Sequence, residues 1–202
     1  MTLWIVEHAP GARGCPRVLK GVLNRPWAWA VHDPEPPSAT PPGDYVLTTR
    51  HRALDVDHWG VNWLASEHFV GICREFGLRV TPVPVRVLLS GGVPTAKRYF
   101  YLLWSEWASV IDREASAYTA DTDLVTGEPL HHRHFPSVPV LLSVDTFVVD
   151  AARVPRAAAF RCPDLDHALV CGDAFRRACE EAGLLGLGFR EITGYTKAGF
   201  WG

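Results

Sequence analysis

The sequence predicts an α+β protein, mostly antiparallel sheet with a few short helices, in two related halves that each carry a helix–Gly–strand cassette. Three observations predict it. LASEHFVGICREFGL at 64–78 and VCGDAFRRACEEAGL at 170–184 align without a gap, matching Phe69 to Phe175, Cys73 to Cys179, Gly77 to Gly183 and Leu78 to Leu184. Much of the remaining chain runs in β-branched and aromatic stretches, the longest being Val138–Asp150, a composition that suits pleated, half-buried strands. The 202 residues are 48% hydrophobic and 21% charged, without a clean linker, which is enough chain for one sizeable core. Residues 1–202 therefore read as a single domain, with pseudo-repeat halves at about 1–105 and 106–202.

Thr2–Glu7 and Trp27–Val31 read as strands separated by a loop rich in Gly, Pro and Arg. The prolines of 33–43 make that stretch an exposed loop with polyproline character. Tyr45–Thr49 reads as a strand, and 58–64 leads into the first helix. In that helix Phe69, Ile72, Cys73 and Phe76 fall on one stripe of a 3.6-residue period. Ser66 is its N-cap, and Gly77 stands where a left-handed residue ends a helix. The second copy repeats the stripe as Phe175, Ala178, Cys179 and Ala182, with Gly172 or Asp173 at its start and Gly183 at its stop. Helices of about three turns owe their stability to packing, so each needs sheet beside it. Residues 79–89 supply the first strand. Pro82 and Pro84 cannot donate to a ladder, so its beginning is an edge or a bulge. Ser90-Gly91-Gly92 is a turn, and Arg98–Trp104 returns as a strand. Residues 119–134 form a polar loop or hairpin. Ala157–Cys162 and His167–Cys171 flank a Pro-Asp turn, and Leu187–Ile192 is the closing strand.

Composition excludes several function classes. The amino-terminal residues carry no basic region or apolar core of signal-peptide type, and no stretch reaches the length of a membrane span. Five irregularly spaced Cys point to reduced thiols, hence a cytoplasmic location. A net charge of −2 gives no basic face for nucleic acid and no strongly acidic surface that would mimic it. Eight Trp read first as core and sheet anchors, and second as interface anchors.

Chemistry-bearing clusters are few. His132 and His134 would share a face if they lay in a strand and are the pair closest to a metal site, but no acid or thiol stands at a diagnostic spacing; no metal and no cofactor is expected. Cys162, His167, Cys171 and Cys179 follow no strong zinc spacing. Cys171 precedes a helix N-terminus, which lowers a thiol pKa, yet nothing places a base beside it. Asp112, Glu114 and Ser116 read either as an acid/base or cation cluster or as turn chemistry.

The order of pieces carries a resemblance. A Ser-initiated helix ending in Gly precedes a Pro/Val strand. A tyrosine-rich strand (Tyr99, Tyr101) then leads to Ile111, Asp112, Glu114 and Ser116, and a closing helix runs into Gly183, Gly186 and Phe189. Over roughly residues 60–192 this resembles the bacterial immunity protein 11 and immunity protein 43 families of polymorphic toxin systems. The resemblance implies a cytoplasmic antidote that binds a cognate protein toxin stoichiometrically, without turnover, and protects the producing bacterium and its kin. The partner expected is therefore that toxin, with no nucleic acid and no membrane. Candidate contacts are Trp59, Trp63, Trp104 and Trp107 at the element ends and Arg74, Arg176 and Arg177 on the helix faces; catalytic residues are not expected. The alternatives are a protein-binding module without a toxin and a small metal- or thiol-dependent hydrolase.

Overall fold

The computed structural model describes residues 2–35, 43–60 and 64–199. Its strands, in chain order, are β1 (Leu3–His8), β2 (Gly21–Leu23), β3 (Tyr45–Thr49), β4 (His58–Trp59) and β5 (Leu64–Ser66), which runs directly into helix α1 (Glu67–Glu75). Then come β6 (Val80–Leu88), β7 (Tyr99–Trp104), β8 (Ala117–Ala120), β9 (His131–His132), β10 (Phe135–Pro139), β11 (Leu141–Thr146), β12 (Ala159–Cys162) and β13 (Ala168–Gly172). The last runs directly into α2 (Asp173–Glu181), and β14 (Leu187–Glu191) follows. The chain is mostly sheet with two helices, an α+β fold.

A six-stranded sheet runs β2-β3-β6-β7-β5-β4 and a four-stranded sheet runs β12-β13-β1-β14. Two short ribbons, β8/β11 and β9/β10, complete the strand pairing. Every pair in these sheets is antiparallel except β3/β6. Both β5 and β6 are antiparallel to the β7 that separates them, and both β13 and β14 are antiparallel to the β1 that separates them. Each helix thus connects two parallel strands across one antiparallel strand.

The central strand of the second unit is β1, from the start of the chain. A cut near residue 105 therefore does not separate the two sheets, because the first strand belongs with the last ones. This pairing joins Leu3 to Gly172 and Trp4 to Glu191, and no local pattern in the sequence announces it.

The helices end alike. Gly77 (φ 62°) and Gly183 (φ 64°) are left-handed. Leu78 N–H donates to Cys73 O (2.9 Å) and Gly77 N–H to Arg74 O (2.9 Å), while Leu184 N–H donates to Cys179 O (3.2 Å) and Gly183 N–H to Glu180 O (3.0 Å). Both are Schellman stops, satisfying carbonyls that the helix itself leaves open. The apolar stripes of α1 and α2 meet each other: the Phe69 and Phe175 rings stand edge to face at 6.0 Å, and Phe76 meets Phe175 at 5.4 Å. Phe69, Cys73, Phe175 and Cys179 are all buried, in one core with the inner face of the six-stranded sheet.

The four-stranded sheet is covered on both faces. Leu169 and Cys171 of β13 point into the helix-side core, and Val170 points into a second core with Val110, Ile111, Leu141, Val144, Phe147 and Ile192. A doubly covered sheet reads as continuous apolar sequence rather than as alternation.

Two expected elements differ from the structure, and a third agrees with it. Trp27–Val31 is irregular: Trp27 and Trp29 stack on each other at 5.0 Å and lean on Tyr45 and Tyr101, so side-chain packing rather than a ladder holds them. The run at 138–150 is broken between β10 and β11, which belong to different ribbons. Strand β6 lies inside its sheet, but β3 joins it only from Val85 onward. Its proline-bearing start is thus paired on one side, by β7, where a missing N–H costs nothing.

Candidate functional site

Two hollows of the described surface bear on function. The first is a cleft of about 590 Å³ where β1 and β13 meet the segment carrying His32, walled by His8, His32, Arg161 and His167. Three imidazoles pack in series here. His32 lies flat on His167 at 3.9 Å, and His132 stands edge-on to His167 at 4.9 Å. The backbone that presents His167 is unusual: Asp166 (φ 52°) and His167 (φ 63°) are consecutive non-glycine residues in the left-handed region, a conformation that persists only where surroundings hold it. Lys197 helps, pairing with Asp166 at 2.8 Å and donating to Leu141 O at 2.7 Å.

Arg161 sits at the base of this cleft, 1% exposed. Its guanidinium donates to His167 O at 3.3 Å and lies over the Trp104 ring at 5.1 Å. Burial pulls the guanidinium down to about 9, against the opposing pull of Tyr101 and Cys73. Burial, then the neighbouring His32, His132 and Arg161, lower His167 to about 3. Burial also lowers His32 and His132. At neutral pH the stack is uncharged and offers ring faces and single N–H donors.

The second place is the solvent side of the helix pair, where a groove of about 590 Å³ is walled by Gly71, Ile72, Ala178 and Ala182. Glu67 and Arg98 pair on its lip at 2.7 Å. The N-terminus of α1 is anchored beneath by Asp57, a buried carboxylate. It accepts from Ser66 Oγ (2.6 Å), from Lys97 Nζ (2.9 and 3.0 Å) and from Leu185 N–H (2.7 Å). Ser66 Oγ in turn accepts from Phe69 N–H at 3.2 Å. One carboxylate thus ties the cap of α1 to the turn that follows α2.

The sequence-derived residues fall as follows. Trp104 is 1% and Trp59 5% exposed, the latter lying against His8 at 4.0 Å. Both rings belong to the larger core and offer a partner no surface as the fold stands. Trp107 is half-buried between Phe135 (5.1 Å) and His167 (5.8 Å), its Nε1 donating to Trp104 O at 2.7 Å. Trp63 lies outside the described residues. Arg74 and Arg177 are exposed. Arg176 is engaged by Glu180 (2.9 Å) and packs over Trp4 at 4.5 Å.

Asp112 makes a turn: its Oδ1 accepts from Glu114 N–H (3.0 Å) and Ala115 N–H (3.1 Å), while Ser116 N–H donates to Asp112 O (3.0 Å). Ser116 Oγ also accepts from Val148 N–H at 2.9 Å. Turn chemistry accounts for Asp112 and Ser116, and no acid/base pairing of Asp112 with Glu114 is needed. Gly186 (φ 81°) is placed by close packing: a Cβ there would stand 2.4 Å from Val56 Cγ2. Phe189 lies half-buried on β14 against the larger core.

His132 turns its ring onto His167, and His134 Nδ1 stands 3.9 Å from Asp33 Oδ1. Among the described residues no three His, Cys, Asp or Glu side chains are grouped to hold a metal ion. Cys162 points into the smaller core while Cys171 and Cys179 point into the larger one, so they cannot converge with His167 on one ion. The Cys171 thiol is fully buried and pushed up by burial, the opposite of an activated thiolate. The reading of Cys171 as a nucleophile fails on that ground. His8, His32 and Arg161, which build the cleft, carried no signal in the sequence: they are far apart in the chain and only the fold unites them.

These features define an α+β protein with a solvent-facing helix pair, a histidine-walled cleft and thiols withdrawn into the core. The chain belongs to the Immunity protein family (Imm11), whose model matches residues 33–194. Of the two families the sequence resembles, the match is to the first. No curated protein matches the chain. Among the described residues no helix is long and apolar enough to cross a membrane.

Proposed function

We propose that this chain is an immunity protein that binds a cognate protein toxin in the cytoplasm and neutralises it by forming a stoichiometric complex, without turnover. Membership of the immunity family over residues 33–194 carries the reading. The burial of all five thiols supports binding over thiol chemistry. Arg74 and Arg177, exposed on the two helices, are proposed contacts, since guanidinium groups recognise carboxylates bidentately.

The test is co-expression of this chain with the toxin domain encoded by the neighbouring gene. Survival of the host, and co-purification of the two chains in a one-to-one complex, is the expected result. Death of the host despite soluble expression would overturn the proposal. Co-purification without rescue would leave a protein-binding module in its place.

A further inference from the structure

The most exposed apolar side chains of the described residues lie on neither the helix pair nor the histidine cleft. Leu124 is 100% and Val125 94% exposed, side by side at the tip of the hairpin loop between β8 and the segment leading to β9. That tip is held by hydrogen bonds from its own backbone and from the Asp123 carboxylate. Asp123 N–H donates to Glu128 O (2.9 Å) and Gly127 N–H to Asp123 O (2.8 Å), while Asp123 Oδ1 accepts from Val125 N–H and Thr126 N–H, both at 2.8 Å. The base is clamped as Asp121 N–H donates to Val140 O and Leu130 N–H to Asp121 O, each at 2.8 Å. Two branched aliphatic side chains are therefore held in water on a hydrogen-bonded turn, where turn chemistry would favour polar residues.

Within the 121–130 hairpin every charged side chain is acidic, namely Asp121, Asp123 and Glu128, and the basic run of His131, His132, Arg133 and His134 begins where the hairpin ends. An apolar tip that carries carboxylates of its own is disfavoured on phosphate-bearing surfaces, so a protein fits it better than a nucleic acid or an anionic membrane. It is complementary to a protein surface with an apolar dent rimmed by Lys and Arg, in the pattern of a desolvated anchor inside a charged rim.

We infer that the 121–130 hairpin is the toxin-docking element of this protein: Leu124 and Val125 enter an apolar dent on the toxin, and Asp121, Asp123 and Glu128 meet a basic rim around it. The inference rests on the immunity reading above and adds a docking element to the helix-face contacts proposed there. Ordering the loop in advance removes an entropic cost of association, and the carboxylates speed encounter with a basic partner.

The experiment uses the full chain and a catalytically inactive form of the toxin domain from the neighbouring gene, with affinity measured by calorimetry. The double substitution Leu124→Ser/Val125→Ser is expected to weaken binding at least about tenfold without changing the melting temperature, since neither side chain packs on the fold. Asp121→Asn/Glu128→Gln is expected to slow association and flatten its dependence on salt. Backbone amides of 122–128 in the unaltered chain should gain protection from hydrogen exchange in the complex. If the toxin binds the unaltered and doubly substituted chains equally, the docking element is refuted while the immunity reading stands. If the toxin does not bind the unaltered chain, both fall. If the unaltered chain forms a dimer that the double substitution dissolves, the hairpin is a self-association contact and the toxin assignment is overturned.

Discussion

The two helical units share a stop and differ at their start. Both helices end in the same Schellman geometry at Gly77 and Gly183, and both link parallel strands across an antiparallel one. At the N-terminus α1 has a hydroxyl cap, Ser66, held in place by the buried Asp57. Helix α2 begins at Gly172, which has no side chain to cap with, and Asp173 in its first turn instead accepts from Trp4 Nε1 at 2.8 Å. The first unit is thus fixed by contacts nearby in sequence, the second by a strand and a tryptophan from the start of the chain. A short amphipathic helix with a glycine stop is a local instruction; the sheet it packs on is chosen by long-range pairing.

The largest effect that probes this comparison is acid. Each unit has a neutral histidine beside it, fully buried in the first and half-buried in the second. His58, just before α1, is held at about 3 by burial, then by Arg161 and His8, and His167, just before β13, is also at about 3. Both folded values lie below the ordinary value of 6.5. The unfolded chain therefore binds more protons between pH 6.5 and about 3, and stability is complete above that window and lost as pH falls through it. The expected slope is at most about 1.4 kcal/mol per pH unit for each histidine, discounted for His167 because its ring is partly exposed. Urea melts at a series of pH values measure it. His58→Phe should flatten the slope, and an unchanged slope would reject His58 as its source.

Removing Asp57 comes next. Asp57→Ala takes from Lys97 one of its two carboxylate partners, leaving Asp55 at 2.8 Å, and frees both the Ser66 cap and Leu185 N–H. The expected loss is about 3–5 kcal/mol, read from urea denaturation. Because Asp57 serves both units, hydrogen exchange should speed in α1 and in the 183–186 turn together; a change confined to α1 would show the units to be energetically separate.

The Phe pair tests whether the helices stabilise each other. Phe69→Ala and Phe175→Ala should each cost about 3–5 kcal/mol. The double substitution should cost less than their sum, since one ring's contacts are already gone when the other is removed. Strict additivity in a double-mutant cycle would mean that the rings touch without coupling.

The smallest effect isolates the caps. Ser66→Ala should cost about 1 kcal/mol, whereas Gly172→Ser, at an extended backbone with open space for a Cβ, should change stability by only a few tenths, in the stabilising direction. Thermal melts of the two variants give opposite signs if the start of each helix is the true point of difference.

Much of this fold was legible where neighbours in sequence are neighbours in space. The stripe through Phe69 and Cys73, the Ser66 cap and the two glycine stops needed only helical periodicity. Strand β6 shows its face through the alternation of Val83, Val85 and Val87 with exposed Pro84 and Arg86. Legibility fails where both faces of a strand are covered, as in β12 and β13, whose buried residues, Arg161 among them, have no period to read. It fails again at Trp27 and Trp29, which look like a strand and are instead an aromatic stack. The histidine cleft was out of reach for a different reason: His32 and His167 touch across more than half the chain. The tryptophans show the same limit, since Trp104 and Trp59 read as strand-end anchors but turn inward.

The position of β1 has a consequence for the order of folding. Leu3–His8 pairs with residues 169–172 and 187–191, so the inner strand of the four-stranded sheet is made before both of its neighbours. During synthesis Trp4 and Ile5 must wait unpaired until residues 169–191 have emerged, and closing so long a loop before any contact rewards it makes this sheet the slow step. The six-stranded sheet, whose pairs all lie between residues 21 and 104, can form well before then and serve as the platform on which the second sheet closes.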